Sequence, residues 1–111
     1  LELPERLLDA VTGLSGSGPA FVARLIEAFT AAGTANGLPH ETAYRLALAT
    51  FSGTARLLTE KGLSPEELVA MVSSKGGTTV AGRAVLEASG YETIIRDTVD
   101  AAVARSKELG S

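Results

Sequence analysis

The chain has 111 residues, no cysteine and a single histidine, His40, which excludes a disulfide framework, a thiolate metal site and an imidazole cluster within one chain. Ten basic residues against thirteen acidic ones leave a net charge of −3, so there is no basic footprint for nucleic acid or another polyanion. Hydrophobic residues make up 45% and aromatic ones only 5%, the composition of one globular domain whose core is Ala, Leu and Val from closely approaching helices. No apolar run approaches the roughly 20 residues of a membrane span, and no basic-then-apolar leader opens the chain. The lack of cysteine fits a cytoplasmic protein. A start at Leu1 without an initiator Met points to a piece of a longer polypeptide.

Glycine and proline punctuate a helical pattern throughout, and no alternating strand pattern is found, so an all-α fold of about six helices is expected. The first helix covers about 4–14, with Leu7, Leu8 and Val11 at helical spacing, and the run from Gly13 to Gly18 breaks it. Ser17 caps a second helix with Pro19 in its first turn, running to about Asn36 and stopped by Gly37. Pro39 starts the third helix in the same way. It ends near Lys61, before Gly62. Ser64-Pro65-Glu66-Glu67 combines a capping box with a first-turn proline and opens the fourth helix, which leads through Leu68, Val69 and Val72 to a glycine pair. A fifth helix is expected over about 79–88, ended by Gly90. The last spans about 91–109, with Ile94, Ile95, Thr98, Val99, Ala102 and Val103 on one side.

The second and third helices carry apolar residues round most of their circumference. In the second, Phe21, Val22, Leu25, Ile26 and Phe29 leave Arg24 and Glu27 as the strongly polar positions. In the third, Glu41, Arg45, Ser52, Arg56 and Glu60 form one narrow stripe. Such helices need cover on several sides, and four shorter helices are too few to give it. At about 25 cal/mol per Å², a few hundred Å² of apolar surface left wet forgoes several kcal/mol. An intertwined homodimeric bundle follows as the expectation, with cover by another domain of the parent chain as the alternative.

Two glycine-rich segments invite a ligand reading. Gly13-Leu14-Ser15-Gly16-Ser17-Gly18-Pro19 fails as a P-loop, because Pro19 stands where lysine is needed and carries no N–H for phosphate. It fails as a dinucleotide fingerprint too, lacking a preceding strand and having Phe21 at the third glycine position. Its residues suit a tight bend that lets two helix ends approach and forms one wall of a pocket. Ser73-Ser74-Lys75-Gly76-Gly77-Thr78-Thr79 is more telling. The amides of a first helical turn lack intrahelical partners and the peptide dipoles add partial positive charge, so a helix start here suits a carboxylate or phosphate. Gly76 and Gly77 can adopt positive φ and admit a ligand to the backbone, Thr78 is a candidate N-cap, and the Thr79 hydroxyl is placed to meet the ligand. The same residues also serve a simple helix–helix turn, and both readings stand at this level.

Together, the stretch from Asp9 to Phe21, then Gly37-Leu38-Pro39, then Met71 to Thr79, and then Val85-Leu86-Glu87 with Gly90 resemble the C-terminal domain of pyrroline-5-carboxylate reductases in order and spacing across nearly the whole chain. The resemblance implies that residues 1–111 are the helical dimerisation domain of an enzyme of proline biosynthesis, its N-terminal Rossmann domain absent from this chain. Such enzymes move hydride from NADPH or NADH to the C=N bond of 1-pyrroline-5-carboxylate and yield L-proline. It further implies a homodimer, dimers assembling into decamers in the full-length enzyme, and no activity for this chain alone. Carried over by position, Ser74, Gly76, Gly77, Thr78 and Thr79 bind substrate, with backbone amides on the carboxylate and the Thr79 hydroxyl on the ring nitrogen as the catalytic contact. Thr12, Gly16 and Ser17 lie toward the nicotinamide. Lys75 replaces a proline frequent in the family, a departure that bears on the rigidity of the segment. Two competing readings are a purely structural oligomerisation module without ligand affinity, and a helical domain of another Rossmann-type dehydrogenase.

Overall fold

The structure, a computed structural model, describes residues 3–73 and 77–110. Among the described residues all regular structure is helical. Five long α-helices follow an irregular first stretch: α2 Gly18–Ala35, α3 His40–Glu60, α4 Pro65–Ser73, α5 Gly77–Ala88 and α6 Tyr91–Gly110. The first stretch is a 3-10 turn, Glu5–Leu7, then a single α-turn, α1 Leu8–Val11, then a π-turn, Thr12–Gly16. The expected six helices are therefore reached only by counting this stretch as one.

Helix ends fall where glycine permits a left-handed residue. Gly37, Gly62 and Gly90 have φ of 101°, 67° and 80°, each directly between two helices as their positions suggest. At the end of α2, Leu38 N–H donates to the Gly33 carbonyl at 3.1 Å and Gly37 N–H to that of Thr34 at 3.0 Å, the two bonds of a Schellman motif. The Ser64 capping box forms in both directions: Ser64 N–H to Glu67 Oε1 at 2.8 Å and Glu67 N–H to Ser64 Oγ at 3.1 Å. Pro39 differs slightly from expectation. It stands just outside α3, with φ −58° and ψ 146°, and its carbonyl takes the first bond, from Ala43 N–H at 2.9 Å.

The glycine run does not break the first helix. Ser17 N–H donates to the Thr12 carbonyl, five residues back, at 2.8 Å, and Ser17 itself has helical dihedrals that lead on to α2. Low helix propensity is overridden by packing. Gly13 is buried against α6, where an added Cβ would stand 2.5 Å from Val103 Cγ2 and 3.2 Å from the Val99 carbonyl oxygen. Glycine is needed here for close approach to the side of a helix, not for a bend between two helix ends.

The chain divides into two compact units, one of Leu1–Ala23 with Glu87–Ser111, the other of Arg24–Leu86. In the first, α6 lies along the first helical stretch. Val99, Ala102 and Val103 are half-buried there, and Ser106 Oγ meets Asp9 Oδ1 at 2.6 Å. Ile94 and Ile95, on the same stripe of α6, remain exposed.

In the second unit the short turn after α2 sends α3 back along it. Gly33 faces Ala43, whose Cβ would be 2.9 Å from an added methyl, and Phe29 meets Phe51 edge-on with ring centroids 5.0 Å apart. Thr30, 4% exposed, satisfies its hydroxyl on the Ile26 carbonyl at 2.8 Å. Ion pairs run along the polar stripe of α3, Arg45 to Glu41 at 2.9 Å and Arg56 to Glu60 at 3.1 Å. The apolar faces are another matter. Among the described residues the buried hydrophobic ones are Ala43, Ala47 and Leu68, whereas Val22, Leu25, Phe29, Tyr44, Leu46 and Leu48 of α2 and α3 are all exposed.

Candidate anion site at the amino end of α5

Helix α5 begins two residues earlier than its apolar pattern suggests. Gly77, Thr78 and Thr79 form its first turn, so Thr78 lies inside the helix and is not its N-cap. Nor is Gly77 among the glycines of positive φ. The cause is that first-turn residues need no apolar partner to be helical, so periodicity starts to register only at Val80. Ser74, Lys75 and Gly76 lie outside the described residues.

This shift strengthens the anion chemistry. The amides of Gly77, Thr78 and Thr79 are the ones the α-helix leaves without intrahelical acceptors, and no acidic side chain stands in that turn. Thr79 is half-buried. Some helical threonines, Thr12, Thr30, Thr50, Thr59 and Thr98, give their hydroxyl to the carbonyl four residues back; Thr42, Thr54 and Thr93, like Thr79, have no such bond among the described residues. Among the described residues no partner holds the Thr79 hydroxyl. Around Gly77 an added Cβ would meet nothing within 4 Å, so among the described residues neither backbone conformation nor packing demands glycine there. A ligand drawn close to that backbone would.

The geometry also shows a residue that pattern reading passed over. Thr79 and Arg83 are four residues apart, share one face of α5 and are its half-buried positions among the described residues. Arg83 Nη1 donates to Oγ of Ser73, the last residue of α4, at 3.3 Å. The spacing alone carried that signal.

Thr12, Gly16 and Ser17 belong to the other unit and are brought together in one π-turn. The Thr12 hydroxyl donates to the Leu8 carbonyl at 3.0 Å, and an added Cβ on Gly16 would touch only Thr12 Cγ2, at 3.8 Å. Single π-turns inside α-helices recur at functional sites. His40 is an exposed first-turn residue: it opens α3 and stacks on Tyr44 with ring centroids 6.4 Å apart. Among the described residues no helix is long and apolar enough to cross a membrane.

An all-α chain, among its described residues, with exposed apolar helix faces has the features of an association domain. Comparison with known proteins makes the assignment specific: a family model described as pyrroline-5-carboxylate reductase dimerisation matches residues 5–109, through both units, and the chain belongs to that family. The pyrroline-5-carboxylate reductase of Synechocystis is 52% identical over 110 residues, which are 99% of this chain and 41% of that protein. Two solved structures superpose closely. A Plasmodium falciparum pyrroline carboxylate reductase with NADP bound has a TM-score of 0.92 at 33% identity, covering 100% of this chain and 42% of that one. A pyrroline-5-carboxylate reductase from Coxiella burnetii has a TM-score of 0.92 at 37% identity, covering 97% and 40%. The chain thus spans about two fifths of the length of the relatives it matches.

Proposed function

We propose that residues 1–111 are the C-terminal, dimerising and substrate-holding domain of an enzyme that reduces 1-pyrroline-5-carboxylate to L-proline with NADPH or NADH. The observation that carries this reading is the amino end of α5, in a chain of this family, with its first-turn amides beside a Thr79 hydroxyl that has no partner among the described residues. The substrate carboxylate is held by the amides of Gly77, Thr78 and Thr79, with Ser74 and Gly76 contributing from the preceding segment. A bound nicotinamide supplies the hydride, its nucleotide held mainly by a Rossmann domain in the remainder of the protein; the Plasmodium relative has NADP bound. Thr12, Gly16 and Ser17 lie on the nicotinamide side.

Reduction of the C=N bond places hydride on carbon and a proton on nitrogen. In this chain the Thr79 hydroxyl is the group placed for the ring nitrogen, where it relays a proton from water or accepts a hydrogen bond from an iminium that arrives already protonated. The domain's work is then orientation: the carboxylate is fixed on a helix end so that one ring face meets the donor. Thr79→Ala in the full-length enzyme removes one hydrogen bond to a polar or charged partner, worth about 1.5–3 kcal/mol, so turnover falls roughly 10- to 100-fold. Unchanged kinetics would take Thr79 out of the mechanism.

The homodimer rests on surface: within the second unit Leu25, Phe29, Leu46 and Leu48 of α2 and α3 are exposed, and a second copy laid on these helices covers them, in a chain of the dimerisation family. Decamers of such dimers, in the cytoplasm, complete the reading of the full-length enzyme.

A second reading keeps the association and drops the ligand: a structural module with no affinity in isolation. Titrating L-proline into this chain separates the two. Amide shifts confined to Gly77–Thr79 favour a retained subsite, and silence favours the module. In either case the chain alone reduces nothing, since the hydride donor's site is incomplete.

A further inference from the structure

We infer that Val103 and Ser106 of α6 are positioning residues for the turn Thr12–Gly16, which the proposed function places on the nicotinamide side. This deepens that reading and depends on it, but it is carried by two contacts of its own, both within one compact unit. Ser106 Oγ donates to Asp9 Oδ1 at 2.6 Å, and Gly13 is buried against Val103 and the Val99 carbonyl.

The stretch before α2 has two faces. Asp9, Gly13 and Ser17, spaced by four, are its buried or half-buried residues, whereas Thr12 and Gly16, also spaced by four, are exposed together with Leu14 and Ser15. On α6 the half-buried residues Val99, Ala102, Val103 and Ser106 recur at helical spacing and meet the first of these faces. The two elements run antiparallel, since Asp9 lies at Ser106 and Gly13 at Val103. Contacts at two different heights fix the rotation of the stretch as well as its register, and with the rotation they fix where Thr12 and Gly16 face. The turn has little intrinsic reason to hold its shape. Its sequence, Thr-Gly-Leu-Ser-Gly, is poor in helix formers, and Pro19 lacks the N–H that an α-turn needs for the Ser15 carbonyl. Its wide form, with Ser17 N–H on the Thr12 carbonyl at 2.8 Å, follows from the close seat of Gly13 on α6. Val103 and Ser106 touch neither nucleotide nor substrate in this scheme and act through Gly13 and Asp9.

The test uses the full-length enzyme with Val103→Ala, Ser106→Ala, Asp9→Ala, the double variant of Asp9 and Ser106, and Ser106→Thr. Each single alanine variant should raise KM for the nucleotide about 3- to 10-fold and leave KM for pyrroline-5-carboxylate unchanged. The double variant should be no worse than the poorer of its two singles, because both remove the same hydrogen bond. Ser106→Thr, which keeps the hydroxyl, should stay close to the unsubstituted enzyme. An unchanged nucleotide KM in Val103→Ala or Ser106→Ala, an equal rise in both KM values, or additive effects in the double variant each overturn the inference. Ser106→Ala removes a single hydroxyl and keeps the test open if Val103→Ala or Asp9→Ala fails to fold. Gly16→Leu tests the reading beneath it: an added Cβ there touches only Thr12 Cγ2, at 3.8 Å, so the fold accepts the side chain while a ligand on that face does not. A nucleotide KM unmoved by Gly16→Leu overturns the nicotinamide-side reading first and this inference with it. A raised one, with Ser106→Ala and Val103→Ala silent, overturns this inference alone.

Discussion

Gly77 and Gly13 show how the same residue type answers to different demands. At Gly13 an added Cβ would stand 2.5 Å from Val103 Cγ2 and 3.1 Å from that residue's backbone nitrogen, and the backbone cannot yield as a flexible side chain can. Gly13→Ala should therefore destabilise the fold by about 1–3 kcal/mol, read as a lowered melting temperature. At Gly77 the space is open and the conformation helical, so Gly77→Ala should leave the melting temperature unchanged or slightly raised. The cost should fall on ligand binding alone, as a raised KM for the carboxylate substrate in the full-length enzyme. A drop in melting temperature at Gly77 would mean that packing, rather than a ligand, asks for glycine there. Sequence alone does not separate these two positions, because a glycine that fits against α6 and one that borders a ligand look the same until the distant partner is in place.

Local rules account for most of the helices. The stops at Gly37, Gly62 and Gly90 and the capping box at Ser64 are set by neighbours within a few residues, and so they are readable from the chain. The π-turn at Thr12–Gly16 is not, since it depends on Val99 and Val103 far along the chain. The start of α5 is hidden from pattern for a milder reason, a first turn that carries no apolar signal. For the candidate site, Gly77, Thr78 and Thr79 were legible as a helix start, while Arg83 and its bond to Ser73 needed the fold. At the start of α4, removing the Ser64 hydroxyl by Ser64→Ala should cost about 1 kcal/mol of stability. The hydrogen bonds from Ser64 hold the Glu67 carboxyl below its ordinary value of 4.5. A carboxyl with a lowered folded-state pKa adds stability above its unfolded-state value and loses it as pH falls through the folded-state one. Melts between neutral pH and about pH 3 should thus show a steeper acid loss for the unsubstituted chain than for Glu67→Gln. Parallel pH curves would show that the capping bond carries no pH-dependent stability.

For the whole molecule the governing fact is exposed apolar surface. Leu46 at 53%, Phe29 at 54% and Ile94 at 62% lie open on three different helices, a pattern that a chain of this size sustains in water only with cover. Gly53 sharpens the point. It sits in the middle of α3, where glycine costs about 1 kcal/mol relative to alanine, and among the described residues an added Cβ would meet nothing within 4 Å. Close approach by a second copy gives that glycine a purpose. Light scattering on the chain should report twice its 11.4 kDa, and Gly53→Leu should shift the species toward monomer. A Gly53→Leu protein that keeps its doubled mass and melts higher would place α3 in solvent.

The contact between Asp9 and Ser106, 97 positions apart in sequence, makes the two ends of the chain answerable to each other. Trimming the tail ahead of Ser106 would strip the opening helix of its anchor as well as shortening the last one. Protease cuts near Asp9 should then appear in a protein whose only edit lies at the opposite terminus.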